Sequence, residues 1–151
     1  MKKLWQPRHS VTLSLVVTYL AGAALLAMML FISRLVEVLF GSDVIVMSAT
    51  VNLLWTFYAC CPAGIAAIVS LLWLLHNIRR GEVFTQRNVK LLRLISWCFV
   101  FTALASVYAT YLYFPCALIL AAAGFLAVIL RVVKNVMEQA TIMREEQELT
   151  I

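Results

Sequence analysis

Three runs without a single Lys, Arg, Asp or Glu constrain this chain most: His9–Ser33, Val44–Ile78 and Leu94–Leu130. Each exceeds the roughly 20 residues that a helix needs to cross a bilayer's hydrocarbon core. A helix is the spanning form that satisfies every backbone polar group within its own segment, so the runs predict an all-α integral membrane protein. Composition agrees. Of 151 residues, 64% are hydrophobic and 13% charged, with a mean hydropathy of +0.98. A water-soluble domain carries about 25% charged residues, and a core of this size could not hide so much apolar surface. Every hydrophilic segment is too short to fold alone, which predicts a single membrane domain over 1–151.

The third run is too long for one crossing and long enough for two short ones. Tyr108, Tyr111 and Tyr113 gather before Pro115. Tyrosine prefers membrane interfaces and proline punctuates helices, so a turn is expected at Tyr113-Phe114-Pro115. Four spans follow, at about 10–33, 54–76, 94–112 and 115–131. The middle run, at 35 residues, would make a helix of about 52 Å. It is expected to project beyond the membrane and to bend near Pro62 and Gly64. Ala21, Gly22, Ala23, Ala24 and Ala27 form a small-residue zone in the first span, where a neighbouring helix is expected to approach closely. Ala23 and Ala27 have the small-xxx-small spacing, and packing within the chain is expected there rather than dimerisation.

The charges left between the runs set an orientation. Lys2, Lys3 and Arg8 precede the first span, and Arg79, Arg80, Arg87, Lys90 and Arg93 lie between the second and third. Arg131, Lys134 and Arg144 follow the fourth, and Arg34 alone is elsewhere. Excess Lys and Arg mark the cytoplasmic side, which predicts a four-helix bundle with both termini in the cytoplasm. The net charge of +5 is spread over short flanks of apolar spans. It suits anionic headgroups, and no direct nucleic-acid binding is expected. The lipid bilayer is the expected partner.

Local signals shape the connections. Gly41 reads as a helix stop, and Ser42 or Asp43 as a start; Arg34 and Glu37 are spaced to pair on a helix end. In the loop 77–93, Gly81 suits a left-handed cap, Thr85 an N-cap, and Phe84 a hydrophobic staple with Val89. Beyond Arg131, residues Val132, Val133, Val136, Met137, Ala140 and Met143 recur at helical spacing. An amphipathic cytoplasmic extension over 132–151 is therefore expected, along the inner surface or across the base of the bundle.

Chemistry-bearing groups are sparse. The spans hold no carboxylate, Lys or Arg, which proton relays and ion pathways usually need. Cys60, Cys61, Cys98 and Cys116 read as small apolar residues, with Cys116 the candidate reactive thiol. His9 and His76 lack companion ligands, so no metal and no cofactor are expected. Asn52, Thr56 and Ser70 are expected to bond to their own backbone rather than line a cavity. No acid–base pair is present, and no enzymatic activity is expected. One electrostatic pairing stands out. Glu138 and Glu145, seven apart on one helix face, are expected to dock the tail on Arg79, Arg80, Arg87, Lys90 and Arg93 of the loop.

The loop sequence Gly81-Glu82-Val83-Phe84-Thr85-Gln86-Arg87-Asn88, followed by Leu91-Leu92-Arg93, and the ending Glu145-Glu146-Gln147-Glu148-Leu149-Thr150-Ile151 resemble a family of small bacterial four-span membrane proteins. It is known as domain of unknown function 2975. Its members tend to have a G-x-x-F-T-x-x-N loop and an E-E-N-D-L-T-I ending; here Gln147 and Glu148 replace the Asn-Asp pair. The resemblance implies a multi-pass protein of the bacterial cytoplasmic (inner) membrane with no established activity. Genes of the family often adjoin one for a small helix-turn-helix regulator, which implies a cytoplasmic transcription regulator as partner. Phe84, Thr85, Asn88, Glu145, Glu146, Glu148, Leu149 and Ile151 are then the expected docking residues of a membrane sensor or anchor. The alternative expectation is a small permease or immunity-type protein, built as a homo-oligomer around helix one and Ala117, Ala121 and Gly124 of helix four.

Overall fold

The computed structural model describes the backbone of residues 7–40 and 44–150, and side chains within 11–35, 38, 51–111, 113–147 and 149–150. Gly41, Ser42 and Asp43, the Arg34–Glu37 pair, the His9 side chain, and the expected docking side chains of Glu148 and Ile151 lie outside the described residues.

Four helices follow in chain order: α1 Pro7–Phe40, α2 Val44–Arg79, α3 Gln86–Leu112 and α4 Cys116–Leu149. Among the described residues there is no strand. All four are long and apolar enough to cross a membrane, over Val11–Leu35, Val51–Arg79, Gln86–Tyr111 and Cys116–Gln147. The third run divides at 113–115, as the aromatic cluster and Pro115 predict. The second run is one continuous helix with Pro62 inside it. At 36 residues it would be about 54 Å long, well beyond a 30 Å hydrocarbon core.

The bundle is open. Each helix packs on the next in the chain, most extensively α3 with α4 and least α1 with α2. Among the described residues, no Cα of α1 comes within 8 Å of one in α3 or α4, nor one of α2 within 8 Å of one in α4. The core therefore follows α3, through Val89, Leu92, Ile95 and Ala109, and is met by Ala123 and Ala127 of α4 and by Cys61 and Leu74 of α2. Alanine on α4 lets the two backbones approach, and one hydroxyl bridges them. The Ser96 hydroxyl donates to the Ala127 carbonyl at 3.2 Å.

The small-residue zone of α1 is used on one side only. A Cβ built on Gly22 would lie 3.4 Å from Ile68, and one on Gly64 would come within 2.9 Å of the Leu25 side chain. These glycines set the α1–α2 approach. Ala23 and Ala27 are exposed, which corrects the expectation that they pack within the chain. Thr18, Leu25 and Met29 share the face toward α2, where the Tyr58 hydroxyl donates to the Met29 carbonyl at 3.3 Å. Ala27 lies off that face, and Ala23 sits at its edge, lining an open cleft with Ile65, Ile68 and Val69 of α2.

Most hydroxyls serve their own helix. Thr18, Thr56, Ser70, Thr102, Ser106, Thr110 and Thr141 each donate to the carbonyl four residues earlier. That satisfies a polar group in an apolar setting without needing a neighbour.

Candidate functional site

The loop between α2 and α3 is built almost entirely from backbone accounting. A helix leaves its last carbonyls unpaired. Here Gly81, at φ +86°, turns the chain back so that the Gly81 N–H donates to the Ile78 carbonyl at 3.0 Å. The Glu82 N–H donates to the Asn77 carbonyl at 3.1 Å. This paired arrangement is the Schellman cap, and its left-handed residue is usually glycine. Four residues after Gly81, Thr85 is extended (φ −132°, ψ 145°) and its hydroxyl accepts from the Asn88 N–H, opening α3.

Asn88 closes the loop. A capping box would have Glu or Gln at this position, reaching back to the cap. The shorter Asn88 turns inward and is fully buried. Its Nδ2 donates to the carbonyls of Glu82 at 2.6 Å and Val83 at 2.9 Å, and its Oδ1 accepts from Asn77 Nδ2 at 2.8 Å. Its two amide hydrogens and its carbonyl oxygen are all engaged. Asn88, expected to face a partner, is instead the internal brace of the loop. Thr85 is half-buried and occupied as the cap. Phe84 stays 41% exposed, and Glu145, Glu146 and Leu149 are exposed at the end of α4.

Loop and tail do meet, by fewer charges than expected. Arg93 Nη2 lies 3.8 Å from Glu138 Oε1, and Glu138 Oε2 takes Lys134 Nζ at 2.7 Å. Glu145 accepts from Gln86 Nε2 at 3.5 Å rather than from an arginine. Arg87 stacks over Trp73, 5.2 Å from the ring centroid, so it turns toward α2 and away from the tail. Arg79, Arg80 and Lys90 make no ion pair among the described residues. The physical reason is packing. α4 continues unbroken to Leu149 alongside α3, with Thr141 1% exposed. Its carboxylates therefore reach the first turns of α3 and not the end of α2.

Beside this surface, Tyr19, Trp73, His76, Asn77, Arg80 and Arg87 line a cleft of about 350 Å³ between α1 and α2. A second, apolar cleft of about 310 Å³ lies deeper, lined by Leu25, Cys60, Cys61, Gly64, Cys98 and Thr102 among others. The four cysteines are free thiols. Sequence reasoning missed Asn77, Gln86, Lys134 and the Trp73–Arg87 stack. The one available signal was a pair of asparagines on either side of a glycine turn.

The sequence profile of a family described as "Protein of unknown function (DUF2975)" matches residues 11–151. No curated protein and no solved structure matches the chain.

Proposed function

We propose a function for this chain as one that belongs to the DUF2975 family, whose described function is unknown: a multi-pass membrane protein that senses or anchors without catalysis. Its end carrying the α2–α3 loop docks a soluble helix-turn-helix regulator in the cytoplasm. The observation that carries this reading is the braced loop. A chain reversal alone does not require a fully buried amide holding two loop carbonyls, yet Asn88 does so directly beside the half-exposed Phe84. A rigid aromatic next to charged residues is a good anchor for a partner, because little entropy is lost on binding. The exposed Glu145, Glu146 and Leu149 at the end of α4 extend the same surface.

The test pairs the detergent-purified chain with the soluble helix-turn-helix protein encoded nearest its gene. A complex is expected by co-elution. It is lost with Phe84→Ala and with residues 144–151 removed, and kept with Tyr111→Ala at the opposite end. No complex, or one indifferent to all three changes, contradicts the reading.

A second reading is a small oligomeric permease or immunity-type protein. The exposed Ala23 and Ala27 favour it, since small residues let the backbone of a second copy approach α1 closely there. Solute flux through vesicles that survives tail removal would favour it over docking.

A further inference from the structure

A cleft of about 370 Å³ opens between α3 and α4, lined by Arg93, Ser96, Trp97, Val100, Arg131 and Lys134. Three of these are cations. Arg93 and Arg131 are also the charges that bound the third uncharged run. Because that run folds back on itself at 113–115, its two ends arrive at the same level. The cleft therefore sits where hydrocarbon gives way to headgroups, with cations on the water side and Trp97 and Val100 on the lipid side. Glu138 is the carboxylate beside it, held by Lys134 at 2.7 Å and approached by Arg93 at 3.8 Å. It offsets one of the three charges and leaves two. Arg131 has no ion pair among the described residues. The Lys134 side chain is only 14% exposed, so little bulk water screens it.

An apolar track leads away from the cleft. Trp97, Phe101 and Leu104, at helical spacing on α3, are 59%, 49% and 66% exposed. We infer that the cleft holds the phosphate of an anionic phospholipid, with one acyl chain lying along Trp97, Phe101 and Leu104. A zwitterionic lipid brings its own ammonium, which the two surplus positive charges repel. A free phosphate would meet the same cations but gain nothing from the track. Basic pockets between helices at a membrane surface recognise anionic headgroups by this combination of charge and depth. The site lies apart from the docking surface proposed above and rests only on the four helices crossing a bilayer.

Trp97 gives the site its own reporter. With Trp5, Trp55 and Trp73 changed to Phe, it is the remaining indole of four. The protein is placed in phosphatidylcholine vesicles carrying either brominated phosphatidylglycerol or brominated phosphatidylcholine, and quenching is compared. Brominated phosphatidylglycerol is expected to associate on the order of tenfold more strongly. Arg93→Gln and Arg131→Gln each lower that preference about fivefold. Arg131→Lys retains it, and Arg79→Gln, at the end of α2, leaves it unchanged. Equal quenching by the two lipids overturns the inference. So does a loss with Arg79→Gln equal to that with Arg131→Gln, which would assign the effect to diffuse surface charge. Inorganic phosphate, compared with chloride at matched ionic strength, is expected to leave the preference intact. If it abolishes the preference, the cleft is a soluble-anion site and the lipid assignment fails.

Discussion

The two connections of α3 reverse the chain by different means. Between Leu112 and Cys116 the chain turns through three residues, using backbone bonds from Tyr113 N–H to the Ala109 carbonyl and from Cys116 N–H to the Tyr113 carbonyl. Pro115 begins α4 with no side-chain cap. The surface there is aromatic: Tyr111 is 87% and Phe114 81% exposed, as suits side chains at a lipid interface. Between Arg79 and Gln86 the reversal uses a Schellman cap, a threonine N-cap and the buried Asn88, bonded to the half-buried Asn77. One end is built with few bonds and presents aromatic side chains. The other holds one backbone geometry while leaving an aromatic side chain exposed, which is what a recognition surface needs.

The sharpest way to break this contrast is Asn88→Ala. It strands the Glu82 and Val83 carbonyls and the Asn77 amide, and is expected to cost about 2–4 kcal/mol. Unfolding in mild detergent reads the loss, and faster tryptic cleavage at Arg79, Arg80 and Arg87 locates it. A loss no larger than that from Phe114→Ala would erase the contrast. Gly81→Ala follows, at about 1 kcal/mol. A Cβ at position 81 meets no atom within 4 Å, so the cost is backbone alone, from φ +86°. The same unfolding measurement checks it. Glu145→Ala is the smallest change. Glu145 is exposed and, among the described residues, accepts only from Gln86 Nε2 at 3.5 Å, and such an exposed contact is worth about 0.5 kcal/mol. Cleavage beyond Met143 by a protease specific for apolar residues is expected to rise only about twofold. A large rise would show that this contact, and not packing at Thr141, holds the tail.

Much of the architecture was legible because it follows from counting. Uncharged runs measure spans, and Pro115 after three tyrosines marks a division. Gly81 names the cap of α2 and Thr85 that of α3, and with the turn at Tyr113-Phe114-Pro115 they bound α3 at Gln86 and Leu112. The Arg93–Glu138 contact follows from two helices meeting with opposite charges at one end. What stayed hidden depends on which way a side chain turns. An asparagine in a polar loop can face water or the backbone, and the carbonyls that claim Asn88 are visible only once the loop is closed. An amphipathic pattern fits a helix lying on a membrane as well as one packed against a neighbour. Residues 132–149 are the second case, continuing α4 along α3. Small residues permit close approach without saying from which side, and Gly22 is used where Ala23 and Ala27 are not.

Docking of a cytoplasmic regulator, as proposed, requires the loop and the α4 tail to share the cytoplasmic side, opposite the aromatic turn. Glu82→Cys, Glu146→Cys and Tyr113→Cys, each made with the four native cysteines changed to Ala, can be labelled by a membrane-impermeant maleimide. Tyr113→Cys is predicted to react in intact cells, and Glu82→Cys and Glu146→Cys only after permeabilisation. Labelling of Glu82→Cys in intact cells, or of Glu82→Cys and Glu146→Cys from opposite sides, would contradict it.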